Sequence, residues 1–127
     1  MLLRRLSLLL ALAWMATLFY LSHQPTLDTP SLFPGQDKLF HMLAYGVLGF
    51  LLLGSLAPAS DGFTSIQIRG SILIASLYGI SDEFHQYFVP GRFSDVWDWV
   101  ADTLGAVIAV SLLAWMSRKW KSVVAVS

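Results

Sequence analysis

The chain reads as an all-α membrane protein, with four transmembrane helices in one bundle and both termini on the cytoplasmic side. Three observations carry that expectation. The sequence is 56% hydrophobic and only 13% charged, where a soluble domain carries about 25% charged residues. Four apolar runs, at about residues 6–22, 39–57, 70–88 and 99–116, each approach the roughly 20 residues that cross a 30 Å hydrocarbon core. The charges are also sorted. Asp28, Asp37, Asp82, Glu83, Asp95, Asp98 and Asp102 sit at one end of the runs, and Arg4, Arg5, Arg69, Arg118, Lys119 and Lys121 at the other. Asp61, Lys38 and Arg92 depart from the pattern.

The first run follows Arg4-Arg5 and contains Ala11-Leu12-Ala13, as a cleaved signal peptide would. Its apolar stretch before that point, Leu6 to Leu10, is short for a signal peptide, and the run continues through Trp14 to Leu21. An uncleaved first helix is therefore expected. Breaks fall at Pro25, Pro30, Pro34-Gly35, Pro58 and Pro90-Gly91, where Pro and Gly interrupt helical periodicity. Between them the runs should be helices, because lipid offers no partner for an open strand's backbone. Ser122 to Ser127 reads as a short tail, no internal repeat is evident, and residues 1–127 are taken as one domain. Excess Lys and Arg marks the cytoplasmic side, so the segments 23–38 and 89–98 should face outward. Tyr20, Trp97 and Trp99 then fit an outer aromatic belt, and Trp115 and Trp120 an inner one.

Composition also excludes chemistry. Without cysteine there is no disulfide, thiol nucleophile or thiolate metal site. No basic patch interleaved with aromatics points to nucleic acid.

The polar residues form stripes. Asp37, His41 and Tyr45 are spaced i, i+4, i+8 on the second run, so they share a helix face. Tyr78, Asp82, His85 and Gln86 line one stripe of the third, with Glu83 beside it. Asp98 and Asp102 are i, i+4 on the fourth, Asp95 precedes them, and Arg92 lies between runs three and four. Lipid exposure of such groups is costly, so the stripes should converge inside the bundle near its outer end. Asp82, Glu83 and His41 are the acid/base candidates, since desolvated adjacent carboxylates and an imidazole suit proton transfer. Arg92 and Lys38 could hold a phosphate or carboxylate, with Asp37, Tyr45, Gln86, Asp98 and Asp102 completing the binding residues. An internal salt-bridge network, with Asp82 or Glu83 on Arg92 and Asp37 on Lys38 or His41, is the structural alternative.

Asp37-x-x-x-His41 and Asp82/Glu83-x-His85 offer nitrogen and oxygen ligands, but no recognised metal motif is present. No metal or cofactor is expected, and His23 is read as ending the first helix. Ala75-x-x-x-Gly79, Ala101-x-x-x-Gly105-x-x-x-Ala109, Gly46 and Gly49 should let helices, or copies of the chain in a homo-oligomer, approach closely.

Asp37-Lys38-Leu39-Phe40-His41-Met42-Leu43-Ala44-Tyr45-Gly46-Val47-Leu48-Gly49 resembles the second-helix motif of VanZ-like membrane proteins. Ser81-Asp82-Glu83-Phe84-His85-Gln86-Tyr87-Phe88-Val89-Pro90-Gly91-Arg92 resembles their third-helix motif, and Asp98 with Ala101-Asp102-Thr103-Leu104-Gly105-Ala106 the fourth. Position 102, often Asn in that pattern, is Asp here, and His85 falls at a variable place. The resemblance covers nearly the whole chain. It implies a multi-pass protein of the bacterial inner membrane, connected with glycopeptide (teicoplanin) resistance, and no established reaction. Membrane lipids, a lipid-linked envelope precursor or a glycopeptide are the expected partners. A proton-coupled transporter and a scaffold remain as other classes. The transporter needs polar groups throughout, and the inner half of runs two to four offers only Ser55, Ser71, Ser76 and Ser111.

Overall fold

The computed structural model describes residues 1–25 and 30–126, with side chains through Trp120. Asp28 and the side chain of Lys121, two of the sorted charges, lie outside the described residues. The described chain forms four helices: α1 (Leu2–Ser22), α2 (Gln36–Gly54), α3 (Ser65–Tyr87) and α4 (Val96–Val126). Among the described residues there is no strand, only an isolated bridge between Ala59 and Gly62 that closes the α2–α3 connection.

The helices outrun the apolar stretches, for local reasons. Gly35 adopts φ 81°, a left-handed conformation open to glycine, and turns the chain into α2 at Gln36. Asp37 and Lys38 therefore ride on the helix. α3 begins at Ser65 because Thr64 and Gln67 form a reciprocal capping box. The Thr64 hydroxyl accepts the Gln67 N–H at 3.3 Å, and the Gln67 side chain accepts the Thr64 N–H at 2.9 Å. α4 continues to Val126, so most of the segment expected as a tail is helical. Past Gly105 it meets neither Gly nor Pro, the residues that end helices.

α1, α2 and Val96–Trp120 of α4 are long and apolar enough to cross a membrane. α3 is equally long but more polar. Four of its polar groups turn inward: Ser71, Asp82, Glu83 and Gln86 are buried, while Leu73, Ile74, Leu77, Ile80 and Phe84 are exposed.

α2 and α4 meet most closely, on small residues. A Cβ on Gly46 would come within 3.3 Å of the Gly105 carbonyl oxygen, and one on Gly49 within 3.2 Å of the Ala106 Cα. A Cβ on Gly105 would overlap the Met42 carbonyl. Around this seam pack Leu18, Tyr45, Leu48, Ala75 and Ala106. A second cluster, Leu53, Phe63, Val110 and Ala114, fills the opposite half. Hydrogen bonds tie the helices together: Trp14 Nε1–H to the Ala44 carbonyl at 2.8 Å, the Tyr78 hydroxyl to the Met15 carbonyl at 2.6 Å, and Ser76 with Thr103 at 2.8 Å. Each such bond contributes about 0.6 kcal/mol in a membrane bundle.

The sorted charges become two ends of the bundle. Arg4 Nε donates to the Ser55 carbonyl at 3.3 Å, and Gly62 lies against the Arg118 side chain. The amino-terminus, the α2–α3 connection and Arg118 therefore share one end. The carboxylates gather at the other.

Candidate functional site

At the carboxylate end, the start of α2, the end of α3 and the start of α4 come together. Lys38 is the hub of the outermost layer. Its Nζ lies 2.8 Å from Asp37 Oδ2, 2.7 Å from Asp95 Oδ2 and 2.6 Å from Asp98 Oδ1. All three ammonium donors are thereby engaged. Asp95 also accepts the Trp97 N–H at 2.9 Å, as a residue capping the start of α4 should. The bond from Lys38, followed by that from the Trp97 N–H, holds the Asp95 carboxyl below the usual carboxylate range.

One turn deeper the environment changes. His41 Nδ1 lies 2.8 Å from Asp102 Oδ1, and Nε2 lies 3.7 Å from Asp98 Oδ2. Glu83 Oε2 accepts the Asp95 N–H at 2.7 Å. His41, Glu83 and Asp102 each present a donor atom within 4.8 Å of the others. Asp102 is 0% exposed and Glu83 7%. Yet Asp102 Oδ2, Glu83 Oε1 and the Tyr45 hydroxyl have no hydrogen-bond partner among the described residues. Gly79 makes room for Asp102: a Cβ there would stand 2.9 Å from Oδ2. Asp82 Oδ2 accepts from Gln86 Nε2 at 3.2 Å.

Arg92 enters from the side. Val89-Pro90-Gly91-Arg92 carries the residues of a type II turn, Pro second and Gly third. Gly91 has φ 82°, and the Arg92 N–H bonds the Val89 carbonyl at 3.1 Å. The half-buried Arg92 side chain lines two cavities that also share Phe40 and His41. One, of about 110 Å³, runs between Leu18, Ser22, Tyr45, Asp82 and Gln86. The other, of about 360 Å³, opens beside Ser31, Phe33, Gln36 and Asp37. Arg92 Nε is buried without a hydrogen-bond partner among the described residues. Nor does any ion pair there join Arg92 to Asp82 or Glu83. A third cavity, of about 380 Å³, lies along the α2–α4 seam between Met42, Phe50 and Ile108 and touches none of the polar groups.

The stripes read from the sequence therefore meet, in two layers. His41, Glu83, Asp98 and Asp102 converge, and Asp82, Gln86, Tyr45 and Asp37 line the cavities with Arg92. Lys38 lines neither cavity. His85 turns away from the carboxylates, its Nε2 3.1 Å from His23 Nδ1, so the Asp82/Glu83-x-His85 grouping is not formed. His23 does end α1. Trp99 packs onto α3, its indole N–H reaching the Ser76 hydroxyl at 3.0 Å and the Ser76 carbonyl at 3.2 Å. Gln36 escaped the sequence reading. It pins the approach to α2, accepting the Leu32 N–H at 2.7 Å and donating to the Pro30 carbonyl at 3.0 Å. Its signal was its place as a polar residue immediately after Gly35.

Fold and site together define a helical membrane protein with one acid-rich end, built around an arginine-lined cleft. The chain belongs to the VanZ/LLP1 family, whose model matches residues 7–117. No curated protein and no solved structure matches it.

Proposed function

We propose that this protein spans the bacterial inner membrane four times with its termini in the cytoplasm. In this reading its acid-rich end faces outward and binds the phosphate-bearing head group of a lipid-linked cell-envelope precursor. The observation that carries it is Arg92, a guanidinium with no ion pair among the described residues and shared by two cavities. Arginine's planar fork matches a phosphate. Leu18, Leu21 and Phe40 beside it supply an apolar wall for the attached chain. The family name supports a link to glycopeptide resistance: a protein that holds the precursor such antibiotics recognise would change teicoplanin susceptibility. A proton-coupled transporter fits less well, because the other half of the bundle packs Leu53, Phe63, Val110 and Ala114 where a relay needs polar groups.

The test is a titration of the detergent-purified protein with a short-chain prenyl phosphate and with the matching prenyl alcohol. The phosphate should bind at least about tenfold more tightly, a difference of roughly 1.4 kcal/mol, and Arg92→Gln should remove that preference. Equal binding of the two, or a preference that survives Arg92→Gln, contradicts the reading. A tag inserted beside Pro30 should be labelled from outside intact cells; protection there overturns the orientation.

A further inference from the structure

We propose that His41, Glu83 and Asp102 form a binding site for one divalent transition-metal ion of the zinc class. This goes beyond lipid recognition and does not depend on it. Each of three helices contributes one ligand: His41 from α2, Glu83 from α3 and Asp102 from α4. Their donor atoms already lie within 4.8 Å of one another. Two donors at about 2.0–2.2 Å from a shared ion stand roughly 3–3.5 Å apart. The His41 Nδ1 to Asp102 Oδ1 separation of 2.8 Å needs to open by only a few tenths of an ångström.

Two further observations point to a cation. Asp102 is 0% exposed and Glu83 7%, yet each keeps one carboxylate oxygen with no hydrogen-bond partner among the described residues. Buried carboxylates are ordinarily paired or metal-bound. Lys38, the cation of the layer above, is spent on Asp37, Asp95 and Asp98. A single imidazole does not balance two carboxylates, whereas a dication does. The surroundings also suit a bound imidazole. With Nδ1 on the ion, Nε2–H faces Asp98 Oδ2 at 3.7 Å, the carboxylate-on-histidine arrangement that orients metal ligands. One nitrogen and two carboxylate oxygens favour zinc-class ions over magnesium or calcium, which prefer all-oxygen shells. Three protein ligands leave a coordination position open.

The test uses full-length protein in detergent, stripped with chelator and titrated with Zn²⁺ in millimolar Mg²⁺, without added lipid. One Zn²⁺ should bind per chain. Glu83→Gln, Asp102→Asn and His41→Ala should each weaken binding at least about tenfold, while Asp61→Asn, at the opposite end, should not. Helical content and monodispersity, measured on every variant, identify any that misfold. Glu83→Gln and Asp102→Asn keep the side-chain shape, so folded protein is expected from both. Failure of wild type to bind Zn²⁺ over Mg²⁺ would overturn the proposal, as would folded Glu83→Gln and Asp102→Asn proteins that bind it as wild type does. Because no phosphate lipid enters this experiment, its outcome is separate from that of the prenyl phosphate titration.

Discussion

The α2–α4 seam and the acid-rich end are built on opposite principles, though both join the same helices. At the seam, Gly46, Gly49, Gly105 and Ala106 bring backbones into contact with no polar side chain between them. At the acid-rich end the same two helices are held apart by side chains. There Lys38 bridges α2 to Asp98 of α4 at 2.6 Å, and one turn below, buried oxygens of Glu83 and Asp102 stay unpartnered. The contrast places packing at the seam, ion pairing in the Lys38 layer, and the proposed site in the layer beneath.

The largest expected effect comes from breaking the seam. Gly105→Leu must displace the Met42 backbone, and overpacking of this kind costs about 3 kcal/mol or more when backbone has to move. The melting temperature in detergent should fall sharply. The matched control is Gly70→Ala on α3, where an added Cβ meets nothing within 4 Å. That change should stabilise by about 0.5–1 kcal/mol. Equal melting temperatures for Gly105→Leu and wild type would place Gly105 away from α2.

Next comes Lys38→Met, which strips the counter-charge from Asp98, a residue 8% exposed. Losing a hydrogen-bonded charge partner there should cost about 1–3 kcal/mol. Thermal melts at neutral pH check it; an unchanged Tm would mean the Lys38 layer is surface decoration. A smaller effect is expected at Asp95. Its folded carboxyl titrates below the ordinary value of 3.8, so its contribution is complete above that value. It disappears as pH falls through the lower, folded value. Asp95→Asn should therefore lower the neutral-pH melt slightly and narrow the further loss of Tm below about pH 4, where the two proteins converge. A variant whose acid profile overlays that of wild type would show that Lys38 does not depend on Asp95.

Much of this contrast was legible in the sequence. Charge sorting became the two ends, because Lys38 and the aspartates find each other only when the helix termini meet. Small-residue spacing located the seam, since Gly105 and Gly46 have few other reasons to stand in apolar runs. Hydropathy placed four helices but misjudged their ends: it does not register the Thr64–Gln67 capping box or the left-handed Gly35. It also could not assign rotation about a helix axis. Asp82 and His85 share a stripe on paper, with Glu83 beside it. Only packing turns Glu83 toward α4 and His85 toward His23, and only packing separates Lys38, held by carboxylates, from Arg92, which lines the cleft.

The most direct test of the central claim, that the buried acids serve function rather than hold the fold, is the melting temperature of Glu83→Gln in chelator. The amide keeps an oxygen to accept the Asp95 N–H now bound at 2.7 Å, and it removes a buried charge. If Glu83 is a site residue, the variant melts within about 0.5 kcal/mol of wild type, or above it, as neutralising an unpaired buried charge allows. If Glu83 were half of a buried ionic lock, the variant would lose about 3–5 kcal/mol, and regaining that loss with Arg92→Gln would contradict the claim outright.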